Sequence, residues 1–250
     1  RTGDTTQSEK SSMLKRPPHI LITTPESFSL VIASSKFRNH MMNLQWVIID
    51  EIHALADSKR GVHLSLALEA LEYFSKNSFT RIGLSATTEP IEEVAQFLVG
   101  SKRNCEIAKI YLDKKMDMKV LCPVPDLINI THDVIHAEMY KLIDSLIQGH
   151  KTTLIFTNTR SATERVVHHL KEKFPRKYTE NIGAHHGSLS KEHRLKLEER
   201  MRAGDLKVIV CSTSLELGID IGYIDLVIML SSPKSVARAT QRAGRAGHKL

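Results

Sequence analysis

The sequence predicts an α/β fold with a parallel β-sheet in each of two halves. Short apolar runs rich in β-branched residues alternate with longer segments whose apolar residues recur at helical spacing, as expected where crossover helices join parallel strands. The alternation occurs twice, on either side of a segment of mixed character. The 250 residues, 41% of them hydrophobic, are enough for one or two domains with a substantial core.

The first half begins with a polar segment, residues 1–12, which is predicted to be a loop. Further on, Thr24 is suited to cap a helix, with Pro25 at its first position and Glu26 in its first turn. The elements predicted in this half are a strand at 19–23, a helix at 25–34, a strand at 46–49, a helix at 61–74, a strand at 81–84 and a helix at 91–98 that ends at Gly100.

The second half repeats the alternation. Its predicted elements are helices at 134–148, 162–174, 191–203 and 235–243, and strands at 153–156, 181–184, 207–211 and 226–230. Between the halves, residues 101–130 form short basic and mixed segments that include Pro123 and Pro125. We place the domain boundary in this segment, which gives domains 1–104 and 105–250.

The composition bounds the class of protein. The net charge of +7 and the pI near 9.3 modestly favour a nucleic-acid partner. Three widely spaced cysteines without a Cys-x-x-Cys pair indicate neither a disulfide framework nor a zinc cluster. No apolar run approaches the roughly 18 residues that span a bilayer, so we expect a cytoplasmic protein without a membrane partner. Because the chain begins at Arg1 and stops directly after a motif, we also expect a fragment of a longer protein.

One strand in the first half ends in two carboxylates and a histidine, Asp50-Glu51-Ile52-His53. The preceding residues, 46–49, are predicted to be buried on both faces of a parallel sheet, and ligands bind such sheets at the carboxyl ends of the strands. Burying two charges without a cation is costly, whereas a magnesium ion removes that cost. Asp50 and Glu51 are therefore candidates to hold Mg²⁺ and to activate water. The alternative is a solvated acidic turn.

A second candidate site is the segment Gln241-Arg242-Ala243-Gly244-Arg245, near the end of the chain. Arginines three positions apart lie on one face of a helix, and the small residues between them allow another surface to approach closely. The planar guanidinium suits phosphate oxygens, so an arginine finger for a γ-phosphate is the functional interpretation. The alternative is a basic surface helix.

A third candidate is the loop Ser212 to Asp220, which follows a predicted strand. Its hydroxyl groups can donate to a phosphate backbone, Gly218 permits a turn and Asp220 can accept from a ribose hydroxyl. A polar strand-to-helix loop without such a role is the alternative.

The histidine pairs at 168–169 and 185–186 are not expected to bind metal, because adjacent side chains do not converge on one ion in a helix or a strand.

Together, these motifs resemble those of superfamily-two helicases in their order along the chain. They are Thr24-Pro25-Glu26, Asp50-Glu51-Ile52-His53, Ser85-Ala86-Thr87, the segment 154–160, the loop 212–220 and the segment 241–245. The surrounding sequence resembles the large helicase-related (Lhr) family, notably at Arg1-Thr2-Gly3-Asp4-Thr5, His186-Gly187-Ser188-Leu189-Ser190 and Leu215-Glu216-Leu217-Gly218-Ile219-Asp220.

This resemblance implies two RecA-like parallel-sheet domains, the first truncated at its N-terminus, with ATP at their interface. It also implies movement 3′ to 5′ on single-stranded DNA and unwinding of DNA or RNA:DNA duplexes, as in DNA repair. The implied catalytic residues are Asp50, Glu51, His53, Gln241, Arg242 and Arg245, with Arg245 as the main finger. The implied Mg²⁺-binding residues are Asp50 and Glu51. The implied nucleotide contacts are Gly218 and Asp220. The implied nucleic-acid contacts are Thr24, Pro25, Ser85, Thr87, Thr159, Arg160, Gly187, Ser188, Ser212 and Thr213.

The sequence departs from the family pattern in two ways that bear on activity. It contains no Gly-x-x-x-x-Gly-Lys-[Ser/Thr] phosphate loop, which in the family precedes the position where this chain begins. His248 stands where many related helicases carry another arginine. We therefore expect the chain alone to be inactive, and a nucleic-acid-binding module without catalysis is the alternative function. A nuclease or restriction translocase is a weaker third option.

Overall fold

Two separate parallel sheets organise the chain in the computed structural model, which describes residues 1–85, 90–109, 116–216 and 222–247. The chain divides into two compact units, Arg1–Leu112 and Asp113–Leu250. The predicted α/β class is thereby confirmed. The domain limits predicted at residues 104 and 105 stay a prediction. Within the described ranges, no helix is both long enough and apolar enough to cross a bilayer.

The first unit contains a two-stranded parallel sheet with helices on one face. Strand β1 (Trp46–Ile49) pairs with β2 (Thr80–Gly83) so that Ile49 lies opposite Gly83. The helices are α1 (Gln7–Lys15), α2 (Pro25–Ala33), α3 (Ser35–His40), α4 (His53–Ala56), α5 (Lys59–Phe74) and α6 (Ile91–Val99). The core includes Phe28 and Val31 of α2, together with Leu68 and Leu71 of α5.

Strand β1 is not buried on both faces, contrary to the prediction from its apolar run. Ile49 is buried, whereas Trp46 and Ile48 are 60% and 62% exposed. Ile82 and Leu84 are exposed as well. The helices that the structure describes in this unit cover one face of the sheet, so alternate side chains of β1 point away from the core.

Two predictions near the N-terminus are also wrong. Helix α1 begins within the segment predicted as a loop and extends beyond it. Thr6 and Glu9 make a reciprocal capping box at its start: the Thr6 hydroxyl accepts from the Glu9 amide and the Glu9 carboxylate accepts from the Thr6 amide. The strand predicted at 19–23 is irregular chain. Ile20 and Ile22 are about four-fifths exposed, and this apolar run pairs with neither β1 nor β2.

The second unit is a four-stranded sheet that carries helices on both faces. Its strands are β3 (Thr153–Phe156), β4 (Ile182–His185), β5 (Val208–Cys211) and β6 (Leu226–Met229), in the order β4-β5-β3-β6, and all pair in parallel. Its helices are α7 (His132–Gln148), α8 (Arg160–Lys173), α9 (Pro175–Tyr178), α10 (Lys191–Arg202) and α11 (Val236–Gly244). Here the predicted strands and long helices agree with the structure to within two residues at every end.

Strands β3 and β5 are buried along their whole length. Ile155 and Val210 pack in one hydrophobic cluster with residues of α7 and α8, whereas Leu154 and Ile209 pack in another with residues of α10. Alternate side chains therefore enter opposite layers, as expected for a sheet between two layers of helices.

A polar contact joins α7 to α9 at some distance in sequence from every candidate site. The Asp144 carboxylate, whose side chain is 13% exposed, accepts from the Tyr178 hydroxyl at 2.6 Å and from Lys177 Nζ at 2.7 Å. Burial and the bond to Asp144 raise the pKa of Tyr178. This contact stabilises the second unit without involving the residues nominated for function.

The Gly61→Ala substitution is expected to destabilise the first unit. A β-carbon at Gly61 would lie 2.0 Å from the main-chain oxygen of Leu55, and a backbone atom cannot rotate away. We expect a loss of about 1–3 kcal/mol in the free energy of unfolding, measured by urea denaturation. Gly3→Ala is the matched control, because nothing lies within 4 Å of its added β-carbon. Equal stability of the two variants would contradict the packing described for α5.

Candidate active site

The acidic motif of the first unit lies directly beyond the carboxyl ends of β1 and β2. The Leu84 amide donates to the Ile49 carbonyl at 2.9 Å, and the Ile52 amide donates to the Leu84 carbonyl at 3.0 Å. These backbone bonds hold residues 50–52 beside residues 84–85. Glu51 adopts a positive φ of 50°, which costs an ordinary residue on the order of 1 kcal/mol. The surrounding hydrogen bonds therefore impose this turn.

His53 connects the acidic turn to Ser85. Its Nε2 lies 3.5 Å from Oε2 of Glu51, and its Nδ1 lies 3.0 Å from Oγ of Ser85. The His53 side chain is only 5% exposed. A protonated imidazole donates to both neighbours, whereas a neutral one donates to one and accepts from the other. Three of the nominated side chains thus form a contiguous polar chain.

Asp50 offers oxygen ligands for a divalent cation. Its Oδ1 accepts from the Glu51 amide at 2.9 Å, and its residue is exposed. No basic side chain within the described part of the chain forms an ion pair with it. An exposed carboxylate of this kind fits Mg²⁺, which prefers hard oxygen ligands and retains several waters.

Thr24, Pro25 and Glu26 begin helix α2 as predicted. Thr24 caps the helix by accepting from the Ser27 amide at 3.4 Å, and Pro25 is its first residue. Glu26 accepts from Nε of Arg60 at 2.5 Å, and this contact with α5 lowers the pKa of Glu26 to about 2. The start of α2 is therefore fixed to α5 by an ion pair as well as by the core.

Four nominated nucleic-acid contacts of the second unit lie at the carboxyl ends of β3 and β4, and all are exposed: Thr159, Arg160, Gly187 and Ser188. Thr159 caps α8 by accepting from the Ala162 amide at 3.1 Å, and Nη1 of Arg160 donates to Oγ of Ser188. After the neighbouring strand β5, Thr213 is exposed, but Ser212 is only 7% exposed.

The histidine pairs behave differently from each other. His185 and His186 are buried and bond to separate partners, Glu198 and Glu164 respectively, and burial lowers the pKa of His185. His168 and His169 do converge, contrary to the expectation: one ligand atom of each lies within 4.8 Å of the others and of a Glu172 carboxylate oxygen. The helix places Glu172 three and four positions after them, so one carboxylate reaches both rings.

Arg242 in helix α11 and Arg245 at the C-cap of this helix occupy different environments. Arg242 is 1% exposed, and its Nε and Nη2 donate to Oε1 of Glu216 at 2.7 and 2.5 Å. Its guanidinium also lies 5.1 Å from the ring centroid of Phe156. Arg245 is only partly buried and donates through Nη2 to the main-chain oxygen of Glu216 at 2.9 Å. The sequence spacing alone does not distinguish these two environments.

Glu216 is a residue that the sequence analysis did not nominate. Its signal is a carboxylate between two leucines, in the loop that follows the buried strand β5. Such a residue requires a cationic partner, because a buried charge without one is strongly unfavourable. Three nominated residues, Thr87, Gly218 and Asp220, lie outside the described residues.

Comparisons with known proteins agree with this arrangement. A family model described as DEAD/DEAH box helicase matches residues 1–96, and one described as Helicase conserved C-terminal domain matches residues 135–249. The structure of Mycobacterium smegmatis helicase Lhr bound to ssDNA and AMP-PNP is 41% identical, with a TM-score of 0.89. The alignment covers 100% of this chain and 32% of that one.

The chain belongs to the Lhr family of DEAD/DEAH-box helicases. Its two units are RecA-like helicase domains. The ATP-dependent helicase Lhr-Core of Methanothermobacter thermautotrophicus is 57% identical over 255 residues, and the Lhr helicase/uracil glycosylase of Escherichia coli is 36% identical over 292. This chain is covered completely in both alignments, but it spans 30% of the first Lhr protein and 19% of the second.

The ion pair between Glu26 and Arg60 predicts an unusual acid titration. Carboxyl NMR should give a midpoint of about 2 for Glu26, and Arg60→Gln should return it toward the ordinary value of about 4.3. Because the pKa is lower in the folded state, the pair stabilises the fold above pH ~4.3, and this contribution is lost as the pH falls toward 2. The effect is small, since both side chains are more than half exposed.

Arg38→Gln provides the control, because Arg38 lies over the ring of Phe74 in the same unit, away from Glu26. A Glu26 midpoint near 4.3 in the unmodified protein would contradict the contact.

Proposed function

We propose that the full-length protein is an ATP-dependent helicase that moves 3′ to 5′ along single-stranded DNA and unwinds DNA or RNA:DNA duplexes. The observation that carries this proposal is the polar chain from Glu51 through His53 to Ser85 at the carboxyl end of a parallel sheet. This chain links a carboxylate suited to hydrolysis with a residue nominated for nucleic-acid contact. The structure of the Mycobacterium smegmatis Lhr helicase was determined with ssDNA and AMP-PNP, which supports a single-stranded nucleic acid and a nucleotide as the two ligands.

The proposed hydrolytic residues of the first unit have distinct roles. Asp50 would hold Mg²⁺, directly or through water, and the bound ion would supply charge neutralisation on the phosphates. Glu51 would orient and deprotonate the attacking water, because its carboxylate is partly exposed and anchored by His53. His53 would couple a change in the position of Glu51 to Ser85, because its two ring nitrogens contact these two side chains.

In the second unit, Arg245 is the proposed finger for the developing charge on the γ-phosphate. Gln241 would help to couple the second unit to the bound nucleotide, and Gly218 and Asp220 would bind that nucleotide. Arg242 supports Arg245 from within the core, since its guanidinium is buried against Glu216. The proposed finger is thus the partly exposed guanidinium of Arg245 at the end of α11, whereas the guanidinium of Arg242 lies in the core.

The proposed nucleic-acid contacts are the residues at the strand ends: Thr24, Pro25, Ser85, Thr87, Thr159, Arg160, Gly187, Ser188, Ser212 and Thr213. Hydroxyls, backbone amides and one arginine suit phosphates and sugars, which carry little sequence information. Binding should therefore be insensitive to base sequence and should weaken with added salt. DNA repair in the cytoplasm is the proposed setting.

The second candidate function is a nucleic-acid-binding module without hydrolysis. It is favoured for the 250-residue chain taken alone, because the chain contains no Gly-x-x-x-x-Gly-Lys-[Ser/Thr] loop to hold the phosphates. We expect this chain to show no ATPase activity, with or without single-stranded DNA, in a phosphate-release assay. Hydrolysis that single-stranded DNA stimulates would overturn this expectation.

Glu51→Gln in the full-length protein should abolish ATP turnover. Removing the proposed base lowers the rate by about 10²-fold or more, the usual contribution of general-base catalysis, whereas binding of single-stranded DNA should stay unchanged because Glu51 is not one of the proposed nucleic-acid contacts. Phosphate release and fluorescence anisotropy measure the two properties. Glu172→Gln is the control, since this exposed glutamate lies on α8 of the other unit. Normal turnover by Glu51→Gln would refute the role of Glu51.

A further inference from the structure

The Glu216–Arg242 pair is more deeply buried than a surface arginine finger would be. The side chains of Arg242 and Glu216 are 1% and 8% exposed, and both bonds from the guanidinium end on one oxygen, Oε1. The ring of Phe156 lies under the guanidinium, and Phe156 itself is fully buried. Arg242 would have to leave this site and expose a buried carboxylate before it could reach a phosphate in solvent.

Glu216 contacts Arg245 as well, through a different atom. The main-chain oxygen of Glu216 accepts from Nη2 of Arg245 at 2.9 Å. One residue therefore binds Arg242 of α11 by its carboxylate and the C-cap residue Arg245 by its carbonyl. A movement of the Glu216 backbone would move the acceptor that fixes the Arg245 guanidinium.

Glu216 is also connected to the proposed nucleic-acid contacts. Its amide donates to the carbonyl of Thr213 at 3.2 Å, which closes a turn that begins directly after Ser212. The same short segment thus joins the end of β5, two proposed strand contacts and the proposed finger. A change at Ser212 or Thr213 could reach Arg245 through a single turn of backbone.

From these contacts we propose that Glu216 is a positioning residue that holds Arg245 in its active orientation. It also couples Arg245 to the segment 212–216, which contains the proposed nucleic-acid contacts Ser212 and Thr213. The inference rests on the proposed function and deepens it. The carboxylate clamps the segment to α11 through Arg242, and the clamp keeps the Glu216 carbonyl where Arg245 needs an acceptor. Arg242 acts through Glu216 and does not touch the phosphate.

The charge of Glu216 matters because Arg242 has no other anion near it among the described residues. Nη1 of Arg242 is buried and has no hydrogen-bond partner there. Removing the negative charge leaves a buried guanidinium uncompensated, which is strongly unfavourable. This unfavourable burial is reduced if the segment 212–216 or α11 shifts. Either shift displaces the Glu216 carbonyl from Arg245.

The test uses the full-length protein with three variants, Glu216→Gln, Glu216→Asp and Arg245→Ala. For Glu216→Gln, we expect kcat of DNA-stimulated hydrolysis to fall at least about tenfold while KM for ATP changes less than about twofold, the signature of a contact made in the transition state. Glu216→Asp keeps the charge but shortens the side chain. It should therefore be more stable than Glu216→Gln but should likewise lower kcat with little change in KM.

Asp144→Asn is the matched control, because it breaks a largely buried polar contact in the same unit without touching α11. We expect it to lower the melting temperature but leave kcat unchanged. Combining Glu216→Gln with Arg245→Ala should cause no further loss beyond Arg245→Ala alone, because both changes remove one function.

The inference is overturned if both Glu216 variants keep normal kcat while Arg245→Ala is inactive. It is also overturned if the losses multiply in the double variant, or if Asp144→Asn lowers kcat as much as Glu216→Gln for the same loss of melting temperature. Normal hydrolysis by Arg245→Ala is a separate result: it refutes the proposed role of Arg245 itself, and the inference with it.

Discussion

Parallel pairing of strands is the constraint on which both candidate sites depend. Strands that run in one direction end at one edge of their sheet, so the residues that follow them become neighbours however far apart they lie in sequence. In the first unit, the pairing of Ile49 with Gly83 brings Ser85 to His53 across 32 positions. In the second unit, the pairing of β3, β5 and β4 gathers residues from three separate motifs.

Within this framework, charge compensation decides how individual side chains are used. Glu51 and Ser85 can be approached from solvent, and the largely buried ring of His53 joins them. Glu216 and Arg242 form a pair within the core, where a lone charge would be strongly disfavoured. The first arrangement suits chemistry and the second suits positioning. Arg245 is intermediate in exposure: it is partly buried, and it donates to the Glu216 carbonyl.

The sequence predicts the second unit well because β3, β5 and β6 are almost entirely apolar and because helices have clear N-caps, such as Ser190 and Ser235. It predicts β1 and its acidic turn, but not the exposure of Trp46, which depends on what covers the sheet. Helix α1 has a capping box but few apolar residues. The burial of Arg242 cannot be derived from spacing, since it requires Glu216 to arrive from a segment 26 positions away.

The most direct test of the hydrolytic site is the binding of Mn²⁺, a paramagnetic substitute for Mg²⁺, to the full-length protein in the presence of ATP. Electron paramagnetic resonance would compare the unmodified protein with Asp50→Asn and Glu51→Gln. If Asp50 holds the ion and Glu51 acts on water, the bound-Mn²⁺ signal is lost in Asp50→Asn and kept in Glu51→Gln. Unchanged Mn²⁺ binding by Asp50→Asn would contradict the assignment of this edge of the sheet as the nucleotide-hydrolysing site.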